Sequence, residues 1–184
     1  MTQLNGKAAL VTGGSRGIGA AIAKRLARDG AAVAITYGNA ADKAAEVVAE
    51  IKASGGKALA IKADNSDPAA VQAAIEEVAK TFGKIDILVN NAGILSGGSI
   101  EDETLESFDR IVGVNIRGVF VAVQAAVKHM PDGGRIITTG SSLANKVPFP
   151  GISLYSMTKS ALIGFTRGVA RDLGPRGITV NLLH

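Results

Sequence analysis

A chain of 184 residues that is 47% hydrophobic is long enough for one well-packed domain, and with only 4% aromatics its core falls to Ala, Val, Ile and Leu. The absence of cysteine excludes disulfides, thiol catalysis and thiolate metal sites. No apolar run approaches membrane-spanning length, and the opening "MTQLNGKAALVTGG" is interrupted by glycine too soon for a signal peptide, so a cytoplasmic protein is expected. The net charge of +4 is dispersed among acids such as "EDETLES" at 101–107, with no basic stripe interleaved with aromatics, and nucleic acid is not an expected partner.

In chain order, short apolar runs alternate with longer helical patterns. Strands are predicted at "KAALVT" (7–12), "AVAITY" (32–37), "ALAIKA" (58–63), "DILVNN" (86–91), "RIITTG" (135–140) and "ITVNLL" (178–183). Helices are predicted near 17–29, 40–54, 68–82, 104–129 and 154–173. Several strands are apolar on successive residues, as expected when both faces are covered. Strand and helix in alternation predict an α/β chain with right-handed crossovers and a doubly wound parallel sheet. Asp67-Pro68 reads as an N-cap followed by proline at the first helical position, and Gly174-Pro175 as a helix end. No linker or low-complexity segment divides the chain, so residues 1–184 are read as a single domain.

The first predicted strand runs into "TGGSRGIG" (12–19), which opens a helix. Glycines at 13, 17 and 19 permit a tight turn and the close approach of a pyrophosphate, and the helix N-terminus offers free N–H groups and a positive dipole end. Glycines alone are weak evidence, but strand before and helix after are the context that a dinucleotide site requires. Within this loop Gly13, Ser15, Arg16, Gly17, Ile18 and Gly19 are the candidate cofactor contacts. A carboxylate closing the second strand would select the ribose hydroxyl of NAD. Here Tyr37, Gly38 and Asn39 stand in its place, and Arg16 is able to pair with a 2′-phosphate, so NADP(H) is expected over NAD.

Taken with "NNAG" (90–93), Asn115 in "GVNIRG", "GSS" (140–142) and "YSMTK" (155–159), this loop resembles the short-chain dehydrogenase/reductase family over essentially the whole chain. The resemblance implies a Rossmann sheet of order 3-2-1-4-5-6. It also implies that Asp64 contacts the adenine with Asn65 beside it, and that Asn91, Ala92 and Gly93 lie against the cofactor ribose. Asn115, Ser142, Tyr155 and Lys159 take the places of the catalytic set, with Ser141 as second choice for the serine. The "TGGSRGIG" loop is similar to those of 3-oxoacyl-carrier-protein reductases, while "HMPDGGRII" (129–137) resembles the family's polyol and naphthol reductases.

The chemistry suits these residues. Carbonyl reduction needs a hydride on carbon, which a nicotinamide supplies, and a proton on oxygen. A phenol ordinarily keeps its proton to about pH 10, and an adjacent ammonium favours the phenolate. A lysine four residues after a tyrosine lies on the same helix face. It is thereby placed to tune the acid and to reach the nicotinamide ribose. Ser142 can donate to the substrate oxygen. Asn115 reads either as a satisfied core amide or, through the resemblance, as the holder of a relay water. His129 and His184 have no acidic cluster beside them, and no metal site is expected.

The partners expected are therefore NADP(H), a small carbonyl or alcohol substrate and, through the resemblance, copies of the same chain in a dimer or tetramer. Ser156, Ser160, Gly164 and Gly168, spaced by four, form a ridge of small residues that allows close helix approach, either inside the chain or between copies of it. A non-catalytic dinucleotide-binding module and an NAD-dependent alcohol dehydrogenase are the alternative readings. Family members continue past the equivalent of "NLLH" with a "PG" turn, a substrate-covering segment, a helix and a seventh strand. A truncated chain lacking that strand, with its sixth strand at the sheet edge, is the expectation.

Overall fold

In the computed structural model, which describes residues 3–184, the six apolar runs form one parallel sheet. Its strands are β1 (Ala8–Val11), β2 (Ala32–Tyr37), β3 (Ala58–Lys62), β4 (Ile87–Asn90), β5 (Arg135–Thr139) and β6 (Thr179–Leu183), in the order β3-β2-β1-β4-β5-β6. The order reverses between β1 and β4, and at such a switch point the loops leaving the strands diverge and open a crevice. β6 lies at the sheet edge, paired with β5 from Arg135↔Thr179 to Thr139↔Leu183.

Register explains why the strands are apolar on consecutive residues. Leu10 stands opposite Ala34 on one side and Leu88 on the other. With Ile136 these residues face α3 (Pro68–Phe82) and α5 (Gly118–Ala126). Their neighbours Val11, Val33, Ile35 and Val89 face the opposite way, toward α1 (Gly17–Arg28) and α2 (Ala41–Ala53). Leu10, Leu88 and Ile136 are fully buried, each worth about 1.5–3 kcal/mol relative to exposure. The start of β4 is fixed by the Asp86 carboxylate, which accepts from Ala8 N at 2.9 Å and from the ammonium groups of Lys7 and Lys84 at 3.0 and 3.1 Å.

Local signals set both ends of α3. The Asp67 carboxylate accepts from Ala69 N and Ala70 N, Pro68 follows it, and Gly83 ends α3 at φ +80°. The predicted helix over 104–129 is not one regular helix. α4 (Leu105–Val112) passes into a π turn over Gly113–Arg117 before α5 begins at Gly118. α6 (Ser153–Leu173) follows the predicted 154–173 closely. No helix among the described residues is long and apolar enough to cross a membrane.

Candidate active site

The glycine loop leaves β1 and is held on two sides. Gly13 N donates to Thr36 Oγ1 at 3.2 Å and Gly14 N to Thr36 O at 2.9 Å, which ties the loop to the end of β2. From the other side Asn91 Nδ2 donates to Thr12 O and Gly13 O at 3.0 and 3.1 Å. Gly13 sits at φ +65°, and a Cβ on it would lie 2.9 Å from Ala92 Cα, so neither its conformation nor its space admits a side chain. Gly17, at φ +55°, has open space above it where a Cβ would stand. α1 starts there with no side-chain cap and no acid in its first turn, so its N–H groups and positive end are free for an anion. Ser15 is half-buried, while Arg16 and Ile18 are exposed at the rim. Open glycine, uncapped helix and rim arginine together fit a pyrophosphate-bearing dinucleotide.

Tyr37, Asn39 and Asp64 lie at or just beyond the ends of β2 and β3, at the C-terminal edge of the sheet like the glycine loop. Asp64 Oδ1 accepts from Ser66 N and Ser66 Oγ at 2.9 and 2.8 Å. These bonds, aided by the charge of Arg110, hold its carboxyl below the usual carboxylate range. Asn65 is buried, and its Nδ2 donates to Val114 O at 2.7 Å, bracing the π turn from outside.

Three segments converge beyond β4 and β5. A Cβ on Gly93 would stand 3.4 Å from Asn115 Oδ1 and 3.6 Å from Lys159 Nζ, which places the "NNAG" loop, the π turn and α6 around one point. Tyr155 is half-buried on α6, and the Lys159 ammonium lies 5.8 Å from the centre of its ring. Lys159 is only 5% exposed, and Nζ donates to Thr139 O at 2.8 Å. Burial pushes its pKa below the ordinary lysine value.

Asn115, 1% exposed, is a satisfied amide in its side chain. Oδ1 accepts from Ile94 N at 2.9 Å, while Nδ2 donates to Ile94 O at 2.9 Å and to Thr158 Oγ1 at 3.1 Å. It therefore clamps the loop after β4 to α6. The π turn makes this possible, because one residue more per turn displaces Asn115 from regular helical register. Gly113 and Gly118 bracket that turn. A Cβ on Gly118 would come within 3.0 Å of both Asn65 Nδ2 and Asn65 O.

Ser142 opens a short 3₁₀ turn over Ser142–Ala144 and is exposed, with no side-chain hydrogen bond among the described residues. Ser141 instead caps that turn, its Oγ accepting from Leu143 N at 3.2 Å. The turn rests on α6 through two serines: Ser156 Oγ donates to Leu143 O, and Ser160 Oγ to Ala144 O at 2.6 Å. The ridge of small residues is thus divided. Its serine half packs within the chain, while Gly164 and Gly168 remain exposed with open space above them.

The structure brings Asn115, Tyr155 and Lys159 together and joins the Ser142 turn to the same helix. Sequence reasoning missed Thr158 as the link between Asn115 and α6, Asn65 as the brace of the π turn, and the π turn itself. The glycines at 113 and 118, five residues apart, were the one available signal for that turn.

A glycine-rich cradle thus stands at the β1/β4 switch point of a Rossmann sheet, beside the helix that carries Tyr155 and Lys159. The family model for short chain dehydrogenase matches residues 7–184, and the chain belongs to the short-chain dehydrogenase/reductase family. Among curated relatives it is 46% identical to an uncharacterized oxidoreductase of Methylorubrum extorquens, covering 100% of this chain and 73% of that protein. It is also 46% identical to the hydroxynaphthalene reductase of Aspergillus fumigatus, over 98% of this chain and 66% of the relative. Among solved structures, a short chain dehydrogenase from Burkholderia cenocepacia J2315 in complex with NADP superposes with a TM-score of 0.98 at 62% identity, covering 99% of this chain and 74% of that one.

Proposed function

We propose that this chain carries an NADP(H)-dependent carbonyl reductase site, with Tyr155 as the proton donor to the carbonyl oxygen and as base in the reverse oxidation. The convergence of Gly93, Asn115 and Lys159 beside Tyr155 carries this reading, since it assembles an acid–cation pair on α6, a buried amide on the π turn and a cofactor-facing loop from three segments distant in sequence. The nicotinamide, when bound, supplies the hydride. The glycine loop and the first turn of α1 hold the pyrophosphate, and Asn91, Ala92 and Gly93 line the ribose. Arg16 pairs with a 2′-phosphate that no carboxylate at Tyr37–Asn39 repels, and the complex of the Burkholderia relative with NADP supports that choice.

Tyr155 donates its phenolic proton to the carbonyl oxygen as negative charge develops there. Lys159, close to the ring and nearly buried, stabilises the phenolate left behind, and partial exclusion of water strengthens that effect. Ser142, whose hydroxyl has no hydrogen-bond partner among the described residues, donates a second hydrogen bond to the same oxygen. Asn115 keeps the loop after β4 against α6 and so fixes the distance between the cofactor wall and the acid.

The substrate is an uncharged apolar ketone. The loops after β4 and β5 expose Leu95, Ile100, Val147 and Phe149 and are joined by Gly98 N donating to Gly151 O at 2.9 Å. The hydroxynaphthalene reductase relative acts, by its name, on an uncharged, largely apolar aromatic molecule. The exposed glycine face of α6 and the Phe120–Phe165 edge-to-face pair beside it pack against a second copy of the chain.

The test is reduction of a panel of aromatic and aliphatic ketones with NADPH, followed by loss of reduced-cofactor absorbance. Tyr155→Phe abolishes turnover while the NADPH dissociation constant stays within about threefold, because the lost hydroxyl acts on the substrate oxygen rather than on the phosphates. Turnover retained by this variant removes Tyr155 from the mechanism, and cofactor binding without turnover of any ketone favours the non-catalytic module.

A further inference from the structure

The proposed acid and its partner serine sit on different segments, and nothing in the short turn that carries Ser142 fixes its distance from Tyr155. The carbonyls of Leu143 and Ala144, directly after Ser142, receive no backbone donor among the described residues. Their donors are the hydroxyls of Ser156 and Ser160, one helical turn apart on α6. Serine within a helix commonly returns its hydroxyl to the carbonyl one turn back. Thr158 does this, donating to Tyr155 O at 2.8 Å, whereas the two serines reach out of the helix. Among the described residues, no other hydrogen bonds join the Ser142 turn to the helix of Tyr155 and Lys159.

We infer that Ser156 and Ser160 are positioning residues for the reaction: they hold the Ser142 turn on α6 and so set the place of the Ser142 hydroxyl relative to the Tyr155 hydroxyl. This rests on the carbonyl reductase reading above. The path is short, since Ser142 adjoins Leu143, Leu143 O is held by Ser156, and Ser156 adjoins Tyr155. The Ser160 bond to the next carbonyl prevents the turn from pivoting about the first. Elsewhere, among the described residues, the segment's hydrogen bonds to the rest of the chain lie at its ends. Gly140 N donates to Leu183 O at 2.6 Å, and Gly151 O accepts from Gly98 N at 2.9 Å. A loop pinned at its ends tolerates a displacement of its middle, and the serine bonds remove that freedom. Two donors converging on one substrate oxygen must both lie within hydrogen-bond reach of it, and a misplacement near 1 Å is enough to lose one of them.

A double-mutant cycle on kcat for ketone reduction with NADPH tests this. Ser156→Ala/Ser160→Ala is expected to lower kcat about tenfold or more, with the NADPH dissociation constant within about twofold of wild type, because the cofactor loop is untouched. The same pair introduced into Ser142→Ala is expected to cost less than about threefold, since no hydroxyl is left to position. Ser160→Ala alone, at a half-buried site, gives the same comparison should the double variant not fold, and Ser160→Thr, which restores a hydroxyl, is expected to recover the rate. Equal losses in the presence and absence of Ser142, or no loss of kcat with Ser142 present, overturn the inference. Wild-type turnover that Tyr155→Phe abolishes establishes the underlying reading separately. A chain that reduces no ketone overturns both.

Discussion

Gly118→Ala is the most severe single-methyl change that the structure identifies near the site. The residue has ordinary helical dihedrals, φ −59° and ψ −40°, so glycine is not required there by conformation. It is required by space, since the new Cβ would come within 3.0 Å of Asn65 Nδ2 and of the Asn65 backbone oxygen. The side-chain atom can swing away only by giving up its 2.7 Å bond to Val114 O, and the backbone oxygen cannot swing at all. Overpacking of this kind costs about 1–3 kcal/mol. A buried amide left without its partner adds about 1–3 kcal/mol. Alanine returns about 1 kcal/mol through its better helix propensity. The net expectation is a destabilisation of about 1–5 kcal/mol. It is read as a lower urea midpoint at unchanged m-value. Because the displaced turn carries Asn115, ketone reduction measured well below the unfolding transition should fall as well. A midpoint equal to wild type, or higher, would show that glycine at 118 is not there to admit Asn65.

Other expectations follow from the same contacts. Burial opposes the charge on Asp86, but hydrogen bonds from Ala8 N, Lys7 and Lys84 outweigh it and lower the carboxyl pKa. The stability that this group contributes is therefore fully present above its unfolded value of 3.8 and is lost as the pH falls through the lower folded value. Thermal melts of Asp86→Asn should show a shallower decline across that acid range than wild type. Arg16→Ala should weaken NADPH about 10- to 100-fold, the loss of one charge-assisted phosphate contact, and leave NADH within about threefold in a fluorescence titration. Equal losses for both cofactors would place Arg16 away from the 2′-phosphate. Gly164→Leu adds bulk to the exposed small face of α6 and should shift sedimentation from oligomer toward monomer. If that face meets solvent, sedimentation will not change and the leucine will raise helix stability by about 1 kcal/mol.

Much of the site's framework was legible before folding. The six strands fall where apolar runs stand between glycine, proline and acidic turns, and Asp67-Pro68 starts α3 as its chemistry requires. The cradle at 12–19 and the Tyr155–Lys159 pair were visible because each is a local spacing on one loop or one helix face. Asn115 shows where that legibility ended. The sequence left it divided between a core amide and a relay site, and helical periodicity carried straight through it. Only the folded chain reveals the π turn and the partners Ile94 and Thr158, which lie 21 and 43 residues away.

Fold class and strand sequence were determined by the chain alone, because hydrophobic periodicity and turn residues act over a few positions and are written consecutively. Tertiary structure decided which polar groups meet. Asn91 Nδ2 bonds the glycine loop 78 residues before it, and Asn65 reaches Val114 across 49. Ser156 and Ser160, read from spacing as part of a ridge open to packing within the chain or between copies, hold the Ser142 turn. A hydroxyl or an amide has the same local signature whether it faces water or a distant carbonyl. Its partner is fixed only when burial of the sheet faces brings the loops together and puts an acceptor within reach of each buried donor.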